Sequence, residues 1–267
     1  MSISAVTKRT VGRIPLAFEL HNPRKGIHLL TESPIIFLHG FLGSKRENRP
    51  DLRNHGDSGH HPKHDYMEMA LDIKYFIEKR QLGQATIIGH SMGAKAALSL
   101  ALHSPHLVKD VVAVDNCPIE LPLTPDFLKY VEAMESVNEA QVRTHKEADE
   151  ILKDIEPSPT IRLWLLSNFV KDNDLPFLKC RVPLDTLQMS IGPLGDFPYK
   201  NESISFPRPV LFLRALQSPF IPDTAFPLIR SFFPCSKVVD IDCGHWVVQE
   251  KPAIFREGML QYWETRL

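Results

Sequence analysis

Residues 85–93, Ala-Thr-Ile-Ile-Gly-His-Ser-Met-Gly, constrain the fold of this 267-residue chain more than any other stretch. A β-branched run ends at Gly89. Ser91 and Gly93 follow at intervals of two residues, and a run typical of a helix comes next. Gly-x-Ser-x-Gly between a strand and a helix predicts a sharp turn that exposes the serine. Glycine suits the flanking positions because a side chain there would collide with the strand or the helix. Ser91 is therefore a candidate nucleophile, and a helix N-cap is its alternative role.

A second signal lies upstream, where the apolar run at residues 34–38 leads into His39-Gly40-Phe41. Such a run predicts a buried parallel strand that ends at a catalytic sheet edge. In folds built around this serine turn, the loop after that strand supplies one oxyanion-binding amide, and the residue after the nucleophile supplies the other. We therefore expect the backbone N–H groups of Phe41 and Met92 to form an oxyanion hole. We expect His39 to be structural and not the base.

The candidate base is His245, which follows a predicted last strand at residues 237–241 and precedes a predicted helix at 250–265. A histidine on that loop can reach over the sheet edge toward Ser91, as the chain order Ser…Asp/Glu…His requires. Another group of histidines comprises His60, His61 and His64. We predict a solvated loop there and no metal site, because no second spaced Cys/His pair accompanies the group.

Two carboxylates compete for the role of triad acid. The predicted strand at residues 209–214 has no carboxylate after it until Asp223, which could instead cap the following helix. The predicted strand at 111–114 runs directly into Asp115. A carboxylate at that strand end could hold the tautomer of His245 through its Nδ1–H. Asp115 is favoured, and Asp223 stays open.

These motifs resemble a known family over nearly the whole chain. The segments that carry the resemblance are His39-Gly40-Phe41-Leu42-Gly43-Ser44-Lys45, Asp51-Leu52-Arg53-Asn54-His55-Gly56-Asp57-Ser58, Gly89-His90-Ser91-Met92-Gly93-Ala94-Lys95, Val114-Asp115-Asn116 and Gly244-His245-Trp246. They are similar to the mitochondrial α/β-hydrolase family that includes fungal ethanol O-acetyltransferase, with abhydrolase-domain esterases as close relatives. The resemblance implies an α/β-hydrolase fold, with a mostly parallel sheet, helices on both faces and a helical lid after strand six. In the yeast acetyltransferases the triad acid is placed like Asp115.

The resemblance also implies an activity. Members form esters from acetyl-CoA and ethanol, and they hydrolyse esters and thioesters. We expect serine-dependent acyl transfer through an acyl-serine, with a small ester or thioester and an alcohol as partners. Coenzyme A would be a substrate, and no metal or bound cofactor is expected. A plain carboxylesterase or thioesterase is an alternative, and so is an impaired, shortened variant that acts as a binding scaffold.

The chain departs from the family between residues 44 and 51. Only residues 44–50 separate the oxyanion motif from the Asp51 motif, too few for a helix of ~11 residues and a strand of ~5. The missing strand would normally lie between the second and third strands of the sheet. Either those two strands pair directly, or the sheet has a gap there.

Further along the chain, the sequence predicts a lid at approximately 121–200. Its predicted helices are at residues 125–137, 146–155 and 158–170.

Composition sets the remaining expectations. The chain is 43% hydrophobic with a net charge of −1, so we expect one domain over residues 1–267 and no nucleic-acid partner. No apolar run reaches the ~20 residues of a membrane span, and the four cysteines lack pairing motifs, which predicts free thiols. Lys8, Arg9 and Arg13 precede the first acid, a weak transit-peptide signal that favours mitochondria over the cytoplasm. A first strand is predicted at 16–20.

Overall fold

The apolar runs of the sequence form a parallel sheet that carries the fold. The structure is a computed structural model that describes residues 12–19, 33–44, 50–123, 125–200 and 203–265. Its strands are β1 (Ile35–Leu38), β2 (Ala85–His90), β3 (Val108–Val114), β4 (Phe169–Lys171), β5 (Leu178–Cys180), β6 (Val210–Ala215) and β7 (Ser236–Ile241). The main sheet has the order β1-β2-β3-β6-β7, with every neighbouring pair parallel. The carboxyl ends of its strands therefore meet at one edge, where ligands bind in open α/β sheets.

Helices cover both faces of this sheet. They are α1 (Tyr66–Lys79), α2 (Met92–His103), α3 (Pro125–Glu139), α4 (His145–Lys153), α5 (Pro159–Leu166), α6 (Leu184–Met189), α7 (Phe226–Phe232), α8 (Val247–Glu250) and α9 (Pro252–Thr265). One core contains Ile87 of β2 with residues of α1 and α2, whereas Ile88, the next residue, belongs to a second core with Met259 of α9. Successive strand residues point to opposite faces, so the near-continuous apolar strands β2, β3 and β6 are buried on both faces.

The predicted lid is an insertion between β3 and β6, and β3 is the strand that the family numbers six. It contains α3 to α6 and the antiparallel β4–β5 hairpin. The predicted helix at 158–170 is too long, since α5 ends at Leu166 and β4 starts at Phe169. Asn168 ends it: this buried residue donates from its side chain to the Leu42 carbonyl at 2.9 Å, and its own carbonyl accepts the Arg181 N–H.

Two other predicted elements differ in the structure. The strand expected at 16–20 is wrong for residues 16–19, which form no strand, and Leu20 lies outside the described residues. The Ala17 N–H donates to the Ser58 hydroxyl at 2.8 Å, and the Ala17 carbonyl accepts the Asp51 N–H. These backbone groups therefore bond to an irregular segment and not to a neighbouring strand. The helix expected at 250–265 begins at Pro252 as α9, and Glu250 ends the separate short helix α8, because proline at 252 disfavours helical backbone at Lys251.

The short connection after residue 44 leaves β1 at one end of the sheet as described. β1 pairs with β2, and no other described strand adjoins it. Residues 20–32 and 45–49, where the two arrangements expected for this region would differ, lie outside the description. Among the described residues, no helix is long and apolar enough to cross a bilayer.

Candidate active site

The turn between β2 and α2 presents Ser91 at the carboxyl edge of the sheet. Ser91 has a φ of 53° and a ψ of −117°, a conformation that L-residues rarely adopt and that marks functional turns. Its backbone N–H donates to the Val114 carbonyl at 2.9 Å, which ties the turn to β3. A Cβ added at Gly89 would overlap the Gly93 carbonyl, and one at Gly93 would lie 2.5 Å from the Leu38 carbonyl. Both glycines are therefore required by close backbone approach.

Three residues predicted from distant parts of the sequence meet here. The Nε2 of His245 lies 3.0 Å from the Ser91 Oγ, and its Nδ1 lies 2.7 Å from the Asp115 Oδ2. Asp115 is fully buried, and its other carboxylate oxygen accepts the Ala215 N–H at 3.2 Å. With Nδ1–H donating to the carboxylate, Nε2 is free to accept the serine hydroxyl proton, the arrangement of a Ser-His-Asp triad.

Asp223, the alternative acid, lies elsewhere. Its carboxylate pairs with Arg214 at 2.7 Å, and its side chain is 80% exposed. Neither the short 3-10 turn that it begins nor the following helix α7 has a side-chain cap, so the capping role expected for it is wrong. The structure brings Asp115 to His245 and leaves Asp223 at the surface.

The two predicted oxyanion amides flank Ser91. Neither the Phe41 nor the Met92 backbone N–H has an acceptor among the described residues, and Met92 is the first residue of α2. Free amides at a helix N-terminus stabilise negative charge. The next residue of the loop, Leu42, donates its N–H to the Nε2 of His55 at 3.0 Å, which fixes the loop beside Phe41. Sequence reasoning missed His55, whose only signal is the Leu-Arg-Asn-His-Gly string.

His39 has the structural role predicted for it. Its Nδ1–H donates to the Gly40 carbonyl at 2.7 Å, and its Nε2 accepts the Leu52 N–H at 2.8 Å, so both nitrogens are engaged. Its ring packs 5.0 Å from that of His55, which in turn lies 5.5 Å from that of His64. Burial lowers the pKa of all three histidines, that of His64 to about 3. They are therefore neutral at physiological pH.

The solvated loop predicted for His60, His61 and His64 is only partly correct. His60 is exposed and donates to the Arg181 carbonyl at 2.9 Å, but His64 is 3% exposed. Helix α1 begins at Tyr66, two residues after His64, so the buried His64 lies just before the start of this helix. Within the described ranges, no group of three or more His, Cys, Asp or Glu residues could hold a metal ion.

The four cysteines are free thiols, and burial raises the pKa of Cys117 to about 12.

His90, inside the Gly-x-Ser-x-Gly motif, is a second residue that sequence reasoning missed. Its Nε2–H donates to the backbone carbonyl of His245 at 2.9 Å, and the two rings lie 4.8 Å apart. Burial, with a smaller effect from the charge of His245, lowers the pKa of His90 to about 4. His90 therefore stays neutral and holds the loop that carries the candidate base.

Lys95, four residues after Ser91 on α2, connects this helix to the end of the lid. It is almost fully buried, and its Nζ donates to the Gly195 and Asp196 carbonyls at 3.2 and 3.1 Å. Nearby, the Tyr66 hydroxyl donates to the Leu194 carbonyl at 2.7 Å. Burial lowers the pKa of Lys95 to about 8. Helix α2 and the returning lid segment thus share a buried polar contact.

A cavity of about 190 Å³, here the serine cavity, opens onto Ser91 and His245. Phe41 of the oxyanion loop and two lid residues, Phe127 and Trp164, line it. The Phe127 ring lies 5.8 Å from that of Phe41. Aromatic side chains from the lid therefore cover Ser91 with apolar surface.

Comparison with known proteins agrees with this architecture. Residues 33–252 match the alpha/beta hydrolase fold family. The chain is 37% identical to an abhydrolase domain-containing protein of Schizosaccharomyces pombe, over 93% of this chain and 97% of that protein. It is 38% identical to a probable alcohol acetyltransferase of Saccharomyces cerevisiae, over 86% of this chain and 77% of that protein. Among solved structures, a marine microorganism esterase aligns with a TM-score of 0.81 and 28% identity, over 93% of this chain and 98% of the esterase. The chain with this serine turn and lid belongs to the alpha/beta hydrolase fold family.

Proposed function

We propose that this protein transfers an acyl group from a small ester or thioester to an alcohol or to water, through an acyl-Ser91 intermediate. One observation carries the proposal: the hydrogen-bonded series from Asp115 through His245 to Ser91 stands beside two backbone amides that have no acceptor in the described part of the chain. Those are the parts that acyl transfer needs, namely a nucleophile, an oriented base and an oxyanion site.

The chemistry that we propose follows from these positions. His245 takes the Ser91 proton at Nε2 as Oγ attacks the carbonyl carbon, and Asp115 stabilises the imidazolium that forms. The Phe41 and Met92 amides bind the oxyanion of the tetrahedral intermediate. The intermediate collapses when the leaving alkoxide or thiolate receives the proton from His245, and the acyl-serine remains. An alcohol or water then attacks it by the same steps in reverse.

An acetyl thioester such as acetyl-CoA is the proposed donor, and ethanol is the proposed acceptor. The resemblance to acetyltransferases supports this choice, and so does the aromatic covering of Ser91 by Phe127 and Trp164. Hydrolysis is the second candidate, because the His245 side chain is 17% exposed and water can reach it. A location in mitochondria, supported by the basic N-terminal stretch, is a further proposal that fractionation of cells would test.

The test is a product analysis with purified protein and acetyl-CoA, with and without ethanol. We expect ethyl acetate to form and free acetate to fall as ethanol rises, because a bound alcohol competes with water by positioning. Ser91→Ala and His245→Ala should each lower kcat on the order of 10⁶-fold, since residues of a triad act as a unit.

The outcomes separate the alternatives. If acetate were the only product and its amount did not change with ethanol, the protein would be a plain thioesterase. A fluorophosphonate probe labels only an activated serine. A wild type that is not labelled at Ser91 would therefore favour the alternative of a binding scaffold without catalytic activity. A Ser91→Ala variant that keeps more than a few per cent of wild-type turnover would exclude Ser91 as the nucleophile.

A further inference from the structure

We propose that Asn116 positions one of the two oxyanion amides, that of Met92, by holding the peptide group between Ser91 and Met92. Asn116 directly follows the triad acid and is 3% exposed. Its side-chain Nδ2–H donates to the backbone carbonyl of Ser91 at 3.2 Å. The contact is to a backbone oxygen and not to the reacting Oγ, so Asn116 is a positioning residue. This inference rests on the proposed function and adds a residue to its oxyanion site.

The peptide group between Ser91 and Met92 couples the two atoms concerned. Peptide groups are rigid, planar and almost always trans, so that the carbonyl and the N–H point in opposite directions. A rotation of this plane therefore turns the Ser91 carbonyl and the Met92 N–H together. A hydrogen bond that fixes the carbonyl also fixes the direction in which the amide donates to an oxyanion.

The Ser91 carbonyl accepts three hydrogen bonds from the described residues, and they come from two parts of the molecule. Two are from the backbone N–H groups of Ala94 and Lys95, at 3.0 and 3.3 Å, which belong to α2 itself. The third is from Asn116, which follows β3. The bonds within α2 move with that helix, whereas the third bond fixes the peptide group relative to the sheet that carries the triad acid.

Three consecutive residues, the last of β3 and the two after it, hold different parts of the site. The Val114 carbonyl accepts the Ser91 N–H, and Asp115 bonds to His245. In a continued strand, the side chains of residues 115 and 116 would point to opposite faces of the sheet. The left-handed backbone of Asp115, with a φ of 48°, ends the strand, and both side chains reach the triad. Ser91 is therefore held by this strand end at its N–H and at its carbonyl.

The side chain of Asn116 is itself held in one orientation. Its Oδ1 accepts the Cys117 N–H at 2.9 Å, so the amide has its oxygen on that side and its nitrogen toward Ser91. The Cys117 thiol donates in turn to the Phe220 carbonyl at 3.2 Å. A buried amide that is bonded through both its oxygen and its nitrogen keeps its direction, as the positioning of a donor requires.

Three variants test this role. Asn116→Ala removes the amide, and Asn116→Leu removes it at similar side-chain size should the alanine variant fail to fold. Ser99→Ala is the matched control, because the fully buried Ser99 hydroxyl also donates to a backbone carbonyl of α2, that of Lys95 at 2.7 Å. Ser99 lies about two helical turns beyond Ser91, so its loss removes a comparable bond away from the oxyanion site.

The measurements are kcat and KM for 4-nitrophenyl acetate and Ki for a trifluoromethyl ketone. The Ser91 Oγ bonds to the ketone carbon, His245 takes the serine proton, and the ketone oxygen becomes an oxyanion like that of the tetrahedral intermediate. Titration with a fluorophosphonate gives the concentration of reactive serine, and kcat is expressed per titrated serine. Misfolded protein therefore does not enter the comparison.

Loss of a whole oxyanion donor costs about 10²- to 10³-fold in kcat, and a misdirected donor keeps part of its effect, so Asn116→Ala should lower kcat and kcat/KM roughly 10- to 30-fold. KM should stay near its wild-type value. The Ki of the ketone should rise by the same factor as kcat/KM falls, because the analogue makes the contacts of the transition state. Asn116→Leu should give the same pattern, and Ser99→Ala should leave kcat, KM and Ki unchanged.

The possible failures differ in what they overturn. A lower kcat with an unchanged Ki would overturn the inference, because the oxyanion contacts of the titrated enzyme would then be intact. Wild-type kcat in both Asn116 variants would also overturn it and would show that α2 alone directs the Met92 amide. A wild type that neither hydrolyses the ester nor reacts with the fluorophosphonate would instead overturn the proposed function itself.

Discussion

Asp115 shows how a single residue can be held for one task. Its backbone lies in the left-handed region at a φ of 48°, and its N–H donates to the Leu213 carbonyl at 2.8 Å. One carboxylate oxygen accepts the Ala215 N–H and the other accepts from His245. Because the side chain is fully buried and both oxygens are bonded, the carboxylate cannot turn away from the imidazole. The end of β3 therefore fixes the orientation of His245.

Replacing Asp115 by Asn should preserve the fold and lower kcat roughly 10⁴-fold, because an amide favours the wrong imidazole tautomer. The measurement is steady-state turnover of an acetyl thioester. Asp223→Asn is the matched control and should cost little activity, since Asp223 pairs with Arg214 at the surface. If Asp223→Asn were the more damaging change, the assignment of Asp115 as the acid would be wrong.

Residue types and chain order were sufficient to predict that Ser91 and His245 would meet at the site. Ser91 and His245 each follow a predicted strand, and parallel strands end at a common edge, so their approach follows from topology. Asp115 was one of two candidates because sequence does not show which carboxylate is buried. His55 and His90 were missed, since their partners are backbone groups 13 and 155 residues away in the chain. Such contacts depend on loop conformations that no local pattern reports.

At the scale of elements, the junction of β2 and α2 is packed against its own backbone. The Gly89 Cα faces the Gly93 carbonyl, with no room for a side chain. Gly258 in α9 is different, because a Cβ there would meet only the Leu213 side chain at 3.8 Å, an ordinary contact. The two glycines therefore have opposite expected responses to the same substitution.

Gly89→Ala should lower the free energy of unfolding by about 3 kcal/mol or more, since the new methyl group must displace backbone. Gly258→Ala should raise it by about 0.5–1 kcal/mol, because alanine replaces glycine within a helix. Urea unfolding followed by circular dichroism measures both. Equal midpoints for Gly89→Ala and the wild type would show that the turn relaxes and that its glycines are not required for packing.

Elements with long apolar runs were predicted within a few residues, and the errors have local causes. β2 and β3 match their runs because buried parallel strands are apolar on both faces. The strand expected at 16–20 failed because the Ser58 hydroxyl and the Asp51 backbone N–H bond to the backbone of Ala17. The helix expected at 158–170 ended early because Asn168 bonds to the oxyanion loop, a tertiary contact that overrides helical periodicity.

For the whole molecule, the core contains several histidines that must stay neutral. His39, His55, His64 and His90 are all at least largely buried, and burial lowers the pKa of each of them. In the unfolded chain each would titrate near its ordinary value of 6.5. The unfolded state therefore binds more protons than the folded state below this pH, and acid favours unfolding.

His64 isolates one part of this effect, because neither of its ring nitrogens has a hydrogen-bond partner among the described residues. Its pKa of about 3 in the folded state lies below 6.5, so its contribution to stability is present above pH 6.5 and is lost as the pH falls toward 3. The loss is about 1.4 kcal/mol per pH unit and about 5 kcal/mol in all. His64→Leu should therefore flatten the fall in unfolding free energy between pH 6.5 and 4, measured by urea titrations at half-unit steps. His106→Gln, at an exposed position, is the control and should keep the wild-type slope. A His64→Leu curve parallel to that of the wild type would show that His64 is not held neutral by the fold.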